Sequence, residues 1–403
     1  MMLLVAYGGG HVAALAPVAQ ALRESGRDFV FLALTTAGPY LDRLGIPHIG
    51  FKDLSGAGDA DVLEFGERLA ADLPAGGTVP HAETVAYLGM NYRDLVEEHG
   101  AGGAEELYRV HGRQAFLPVR TMERVIRSLQ PDLVLATNSP RAERAAIVAA
   151  GRCGVKSICN VDLFGMQEIK WIGVPGYADV VCVLNEEVRR AFIAYGRKPD
   201  EVIVTGNPAF DRLRDPAVVS AGLALRKERG WNDERKTVLW ASNVEPEVHP
   251  FTGEKGDPSL PGRIEQYLRD FVAANHGYRL VVRYHPSQRE VFVAQAGVDV
   301  SPATESVSVL LHAVDIVVVM ASTVGLEAAL AGRPVISVVG SVFGADAPYA
   351  RMGISTEAAT IASIGEALLA AGGQAGAPET GVQDGADGPS ATARLLAVIK
   401  NML

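Results

Sequence analysis

The chain has 403 residues, of which 48% are hydrophobic, and a formal net charge of −10 at pH 7. That length accommodates two domains of ordinary size, and the acidic balance excludes a general nucleic-acid binder, whose footprint is a basic surface. The three cysteines, Cys153, Cys159 and Cys182, lack metal-site spacing and read as reduced core residues. No apolar run reaches membrane-spanning length, and no basic stretch precedes an apolar core at the N-terminus. The expected location is the cytoplasm, with peripheral contact at a membrane surface left open.

Strand and helix patterns alternate from the start. Leu3–Ala6 is an apolar strand, and Val12–Ser25 carries Leu15, Val18, Ala19 and Leu22 on one helical face before stopping at Gly26. Between them lies Tyr7-Gly8-Gly9-Gly10-His11. Glycines permit close backbone approach, a helix N-terminus attracts anions, and a histidine moves protons near neutral pH. The loop is either a binding turn with a base beside it or simply a tight turn. Phe29–Leu34 is the next strand and Tyr40–Leu44 a short helix; Gly45-Ile46-Pro47 leads into another short strand. Residues 52–112 then break the rhythm with a polar, helical stretch holding glycine pairs at Gly76-Gly77 and Gly102-Gly103. It reads as an insertion that forms a lid or acceptor surface, or as a structural helix pair.

The alternation returns with a helix over Arg120–Leu129, a strand over Leu133–Ala136, a helix over Ala142–Gly151, and strands over Ser157–Val161, Val180–Leu184 and Val202–Thr205. Asn138-Ser139-Pro140-Arg141 opens a helix just after a strand, with Asn138 and Ser139 as caps and Arg141 and Glu143 turned towards a cleft. Asp162 ends the next strand and either orients a histidine, binds an acceptor or caps a loop. Gly206–Asp211 is rich in turn formers and closes the first half. A second α/β unit has strands over Thr237–Ala241, Arg279–Tyr284, Ile316–Met320 and Pro334–Val339, and helices over Arg263–Asn275 and Leu326–Ala331. Gly372–Gly388 reads as a surface loop and Ala391–Leu403 as a terminal helix. Two parallel α/β domains place ligands beyond the carboxyl ends of their strands, so the interdomain cleft is the expected site.

The strongest motif runs from Val317 to Ser337. A strand leads into Ser322-Thr323, a helix begins, and Glu327 lies one turn in. The two hydroxyls either cap this helix or hold a diphosphate there, and Glu327 is placed for ribose hydroxyls or for solvent. With Gly325 and the ending Glu-Ala-Ala-Leu-Ala-Gly-Arg-Pro-Val-Ile, this segment resembles the GT-B glycosyltransferases and the related UDP-N-acetylglucosamine 2-epimerases. Gly8-Gly9-Gly10-His11, with Pro17 and Ala21-Leu22, is similar to the opening of the peptidoglycan N-acetylglucosaminyltransferases. Val204-Thr205-Gly206-Asn207-Pro208 resembles the domain junction of several of these enzymes. Arg283-Tyr284-His285-Pro286 resembles the His-Pro element of capsule and teichoic-acid transferases; His285 either binds a phosphate or stabilises its own turn. Two departures stand out. Trp240-Ala241-Ser242-Asn243 lacks the glycine-serine-rich loop of the peptidoglycan enzymes, though Ser242 and Asn243 are placed for phosphates. Asn138-Ser139 stands where the epimerases carry an Asp.

The resemblance implies two Rossmann-like domains facing across a cleft, with the helical insertion 52–112 in the first. The expected bounds are 1–215 for an acceptor domain, 216–380 for a nucleotide-sugar domain, and 381–403 for a loop and terminal helix. It implies an inverting glycosyltransferase that moves a sugar from a nucleotide-sugar donor, UDP-sugar favoured, to a hydroxyl on a sugar, lipid-linked or small-molecule acceptor. The expected catalytic residues are His11 as base and Asp162. The expected donor ligands are Ser242, Asn243, His285, Ser322, Thr323, Gly325 and Glu327; Gly9, Gly10, Asn138 and Arg141 line the acceptor side. No metal or cofactor is expected. The alternatives are a UDP-N-acetylhexosamine 2-epimerase or hydrolase, a capsule-type polymer transferase with a CMP or CDP donor, and a catalytically silent nucleotide-binding module.

Overall fold

The computed structural model describes residues 1–73, 77–250, 252–373 and 388–403. Gly76 of the first glycine pair and most of the expected 372–388 loop lie outside the described residues. The chain forms two compact units. Residues 1–209 and 389–403 make the first; residues 210–388 make the second.

The first unit holds six parallel strands: β1 (Met2–Ala6), β2 (Phe29–Ala33), β3 (Leu133–Ala136), β4 (Lys156–Asn160), β5 (Val180–Val183) and β6 (Val202–Val204). Their spatial order is β2-β1-β3-β4-β5-β6. β1 and β3 are apolar along their whole length and buried at every position, as expected for central strands covered on both faces by helices. The short strand expected after Gly45-Ile46-Pro47 is reduced to one bridge, Ile49 against Leu32. Pro47 has no N–H to give a ladder, and the chain leaves the sheet at once for a 3-10 turn at Phe51–Asp53. With Ile49 counted as a vestigial third strand, the order becomes the doubly wound 3-2-1-4-5-6.

The second unit repeats that order. Its strands are β7 (Lys236–Ala241), β8 (Tyr278–Arg283), β9 (Val298–Val300), β10 (Ile316–Val319), β11 (Val335–Val338) and β12 (Thr356–Ala358). They lie as β12-β11-β10-β7-β8-β9, and every pairing is parallel. The strand order therefore reverses beside β1 in one sheet and beside β7 in the other. Loops at the carboxyl ends of the strands flanking such a reversal diverge and leave a crevice. Tyr7–His11 and Thr137–Arg141 occupy that position in the first unit, Ser242–Glu245 and Met320–Thr323 in the second.

The 52–112 insertion is helical, with helices over Ala60–Ala70 and His81–His111. It is less polar than its composition suggests. Val85, Ala86, Tyr87, Leu88, Met90, Tyr92 and Leu95 are all buried. The two helices approach closely because two glycines lack a Cβ: one added at Gly66 would lie 2.2 Å from the Val85 carbonyl oxygen, and one at Gly89 would lie 2.0 Å from that of Val62. Gly100, at φ 70°, breaks the longer helix. The terminal helix Ala391–Met402 buries Leu395, Val398 and Ile399 in the core of the first unit, and Arg394 Nε donates to the Thr205 carbonyl at 2.8 Å.

Candidate active site

In the first unit, β1 delivers the glycine turn and starts the helix Gly10–Glu24. Each glycine there has its own steric reason. A Cβ at Gly8 would lie 1.7 Å from Thr36 Oγ1, Gly9 sits at φ +70°, and a Cβ at Gly10 would lie 3.3 Å from Asp162 Oδ2. The turn therefore presses the start of the helix against the ends of β3 and β4 and aims His11 at them.

His11 Nδ1 lies 2.8 Å from Thr137 Oγ1, 3.7 Å from Asp162 Oδ2 and 3.9 Å from Glu143 Oε2. Glu143 is wholly buried. Its Oε1 accepts the Tyr7 N–H at 2.6 Å and its Oε2 the Ser139 N–H at 2.8 Å. The Thr137 hydroxyl also donates to it. Burial pushes the Glu143 carboxyl above its ordinary range, against the opposing pull of His11 and these donors. Because Thr137 gives its proton to Glu143, its oxygen is left to accept from His11 Nδ1–H. The neutral ring then keeps its lone pair on Nε2. Burial works against a charged His11, but Glu143, Asp162 and Glu168 outweigh it, and the net push on the imidazole is upward. Asp162 is itself fixed at both ends of its backbone: its N–H donates to Asn138 Oδ1 at 3.0 Å, and its carbonyl accepts from Asn207 Nδ2.

The insertion encloses a pocket of about 980 Å³ in this unit, lined among others by Tyr7, Thr36, Tyr87, Leu88, Arg113 and Arg141. That is at the upper end of the usual range for small-molecule sites. The Tyr7 and Tyr87 hydroxyls are 2.6 Å apart, and burial drives both phenols above their ordinary range. Arg141 covers the Tyr7 ring, its guanidinium carbon 5.1 Å from the centroid. Tyr7 thus joins the pocket to the histidine cluster through its backbone bond to Glu143.

The expected donor residues all fall in the second unit. Ser242 follows β7, and its hydroxyl accepts from Gln288 Nε2 at 3.0 Å. Asn243 turns its Oδ1 onto the Val244 N–H. His285 Nδ1 accepts the Ser287 N–H at 3.1 Å, the bond expected of a turn-stabilising histidine. Ser322 Oγ faces the Val324 N–H at 3.4 Å, and its carbonyl accepts the Tyr349 hydroxyl at 2.7 Å. Thr323 is exposed and makes no cap bond. Gly325 has a packing reason, since a Cβ there would lie 2.9 Å from Val319 Cγ2. Glu327 is 7% exposed and accepts from Arg212 Nη2 at 2.9 Å. Glu245, unremarked in the sequence, is buried and takes the Ser341 hydroxyl and the Val342 N–H, both at 2.7 Å.

The structure therefore brings His11, Asp162, Asn138 and the glycine turn together, with Arg141 one residue pair away at the pocket. Sequence reasoning missed Thr137, Tyr7, Tyr87 and Arg113, and saw Glu143 only as a cleft-facing residue. A clue was present: Glu143 follows a strand by seven positions and is the one acidic residue of an alanine-rich helix, in its first turn. Among the described residues, no group of three or more His, Cys, Asp or Glu is arranged to hold a metal, and no helix is long and apolar enough to cross a membrane.

No protein-family model and no curated protein sequence matches the chain. Solved structures do. The S. aureus MnaA–UDP complex aligns over 100% of this chain and 97% of its own, at 13% identity and a TM-score of 0.60. The Neisseria meningitidis UDP-GlcNAc 2-epimerase bound to UDP-GlcNAc aligns over 100% of both chains at 12% identity and a TM-score of 0.60. Acinetobacter baumannii MurG aligns over 99% of both at 15% identity and a TM-score of 0.55. At these identities the similarity establishes the fold, which is GT-B: two Rossmann-like α/β units in one chain.

Proposed function

We propose that this chain is a metal-independent glycosyltransferase that moves a sugar, with inversion, from a UDP-sugar to a hydroxyl acceptor. The observation that carries the reading is His11, held through Thr137 on a buried Glu143, in the same unit as an acceptor-sized pocket. His11 Nε2 takes the proton of the acceptor hydroxyl. The freed oxygen attacks the anomeric carbon, the bond from that carbon to the phosphate oxygen breaks, and UDP leaves with its electron pair. Asp162 and Glu143 stabilise the imidazolium that forms, as a carboxylate does for any histidine base. The second unit takes the nucleotide, with Ser322 and Thr323 on the phosphates and Glu327 on the ribose.

The same histidine and carboxylates would also serve proton chemistry on the sugar itself, the work of a 2-epimerase or hydrolase. The pocket favours transfer, because chemistry on the donor alone leaves it without an occupant. The capsule-type reading loses support at His285, whose Nδ1 is engaged by its own turn. Thermal-shift titration with UDP, CMP, CDP, GDP and dTDP tests the donor, since a ligand that binds only the folded state raises its melting temperature. Stabilisation by UDP is expected. Stabilisation by CMP or CDP alone would transfer the assignment to the capsule-type enzymes, and none by any nucleotide would remove the proposal.

A further inference from the structure

We infer that the pocket under the helical insertion recognises an acceptor bearing an oxyanion, a carboxylate or a phosphate, held between Arg113 and Arg141. This rests on the reading of that unit as the acceptor side. The chain is acidic overall, yet two arginines line one pocket. Among the described residues neither makes a side-chain hydrogen bond, and neither has a carboxylate within salt-bridge distance. The other ionisable groups in the lining are already engaged. Glu83 spends both oxygens on the Phe51 and Lys52 N–H groups, at 2.9 and 3.0 Å, and His81 faces Glu67 at 3.0 Å. The pocket thus presents two guanidinium groups without a carboxylate partner, each a rigid fork suited to a planar or tetrahedral oxyanion. The remaining wall sets the apolar and aromatic surfaces of Leu73, Val79, Leu88, Tyr7 and Tyr87 beside three threonines, Thr35, Thr36 and Thr84. The acceptor is therefore a molecule with an apolar or aromatic part, one hydroxyl for transfer and one anionic group for the arginines.

Calorimetric titration of the full chain with 4-hydroxyphenylacetate, phenyl phosphate and the neutral 4-hydroxyphenethyl alcohol tests this without nucleotide or turnover. At least one anionic probe binds on the order of tenfold more tightly than the alcohol, as a charge-assisted hydrogen bond implies. Which anion leads distinguishes carboxylate from phosphate. Arg113→Ala, at an exposed position, abolishes the preference; Arg113→Lys keeps part of it; Arg141→Gln reduces it. Equal binding of charged and neutral probes, a preference that survives Arg113→Ala, or no binding of any probe at millimolar concentration overturns the inference. An anionic preference in a protein that transfers no sugar would uphold the pocket and remove the transferase reading. Transfer to neutral acceptors only would do the reverse.

Discussion

Replacing Glu143 by Gln tests the histidine cluster at its base. The carboxylate is wholly buried and accepts two backbone N–H groups, from Tyr7 at 2.6 Å and Ser139 at 2.8 Å. Glutamine keeps the shape but offers one acceptor oxygen, so its NH₂ must face one of the two amides. That amide is then buried without a partner, at a cost of about 1–3 kcal/mol. Glu143→Ala strands both amides, leaves a cavity and costs more. Hydrogen exchange read by mass spectrometry localises the loss of protection to peptides covering residues 2–12 and 133–145. The second unit has its own core and exchanges as before. The substitution also removes the nearby charge that contributes most to raising the His11 pKa. His11 must be neutral to take a proton, so the acid limb of the pH–rate profile moves to lower pH. Unchanged exchange around Tyr7 and Ser139, together with an unmoved acid limb, would refute this account of the cluster.

His11→Ala lowers transfer by about 10²–10⁴-fold, the usual share of a general base, while UDP affinity by calorimetry stays near wild type. The same residue marks the stability profile. Its folded pKa is raised from 6.5, so it contributes stability that is fully present below the unfolded pKa and is lost as pH rises through the folded one. The gap in melting temperature between wild type and His11→Asn is therefore widest in mildly acidic buffer and closes at alkaline pH. Glu327→Ala weakens UDP binding on the order of tenfold if the carboxylate holds ribose; unchanged affinity would leave Glu327 as the partner of Arg212 alone. Gly89→Ala drives a Cβ against the Val62 carbonyl and lowers the melting temperature, at a cost of about 1–3 kcal/mol typical of overpacking.

The central strands were legible because their residues are continuously apolar, as in Leu3–Ala6 and Val317–Val319, and burial on both faces suits such runs. The edge strands of the second unit were not. β9 reads Val-Asp-Val and β12 reads Thr-Glu-Ala; at three residues each, with exposed polar positions, neither is long enough to carry a periodic signal. The helix Glu186–Tyr195 escaped notice despite a full set of end signals. Asn185 Oδ1 caps the Val188 N–H at 3.0 Å, and Gly196 closes the other end. His11 was visible because the glycine turn beside it is local. Its surroundings were not. Tyr7 and Tyr87 meet across 80 positions, and the value of Glu143 depends on amides delivered by two different strands. The burial inside the insertion was hidden too, since its close helix contact depends on Gly66 facing Val85 and Gly89 facing Val62 rather than on a hydrophobic repeat.

The most direct test of transfer from a UDP-sugar with His11 as base is UDP release. Wild type and His11→Ala are incubated with a panel of UDP-sugars, with and without hydroxyl acceptors, and the products are followed by mass spectrometry and NMR. The expected result is UDP release that depends on the acceptor, yields a glycoside of inverted anomeric configuration and is lost in His11→Ala. A C2-epimerised or hydrolysed sugar formed without acceptor, or release undiminished in His11→Ala, would contradict it.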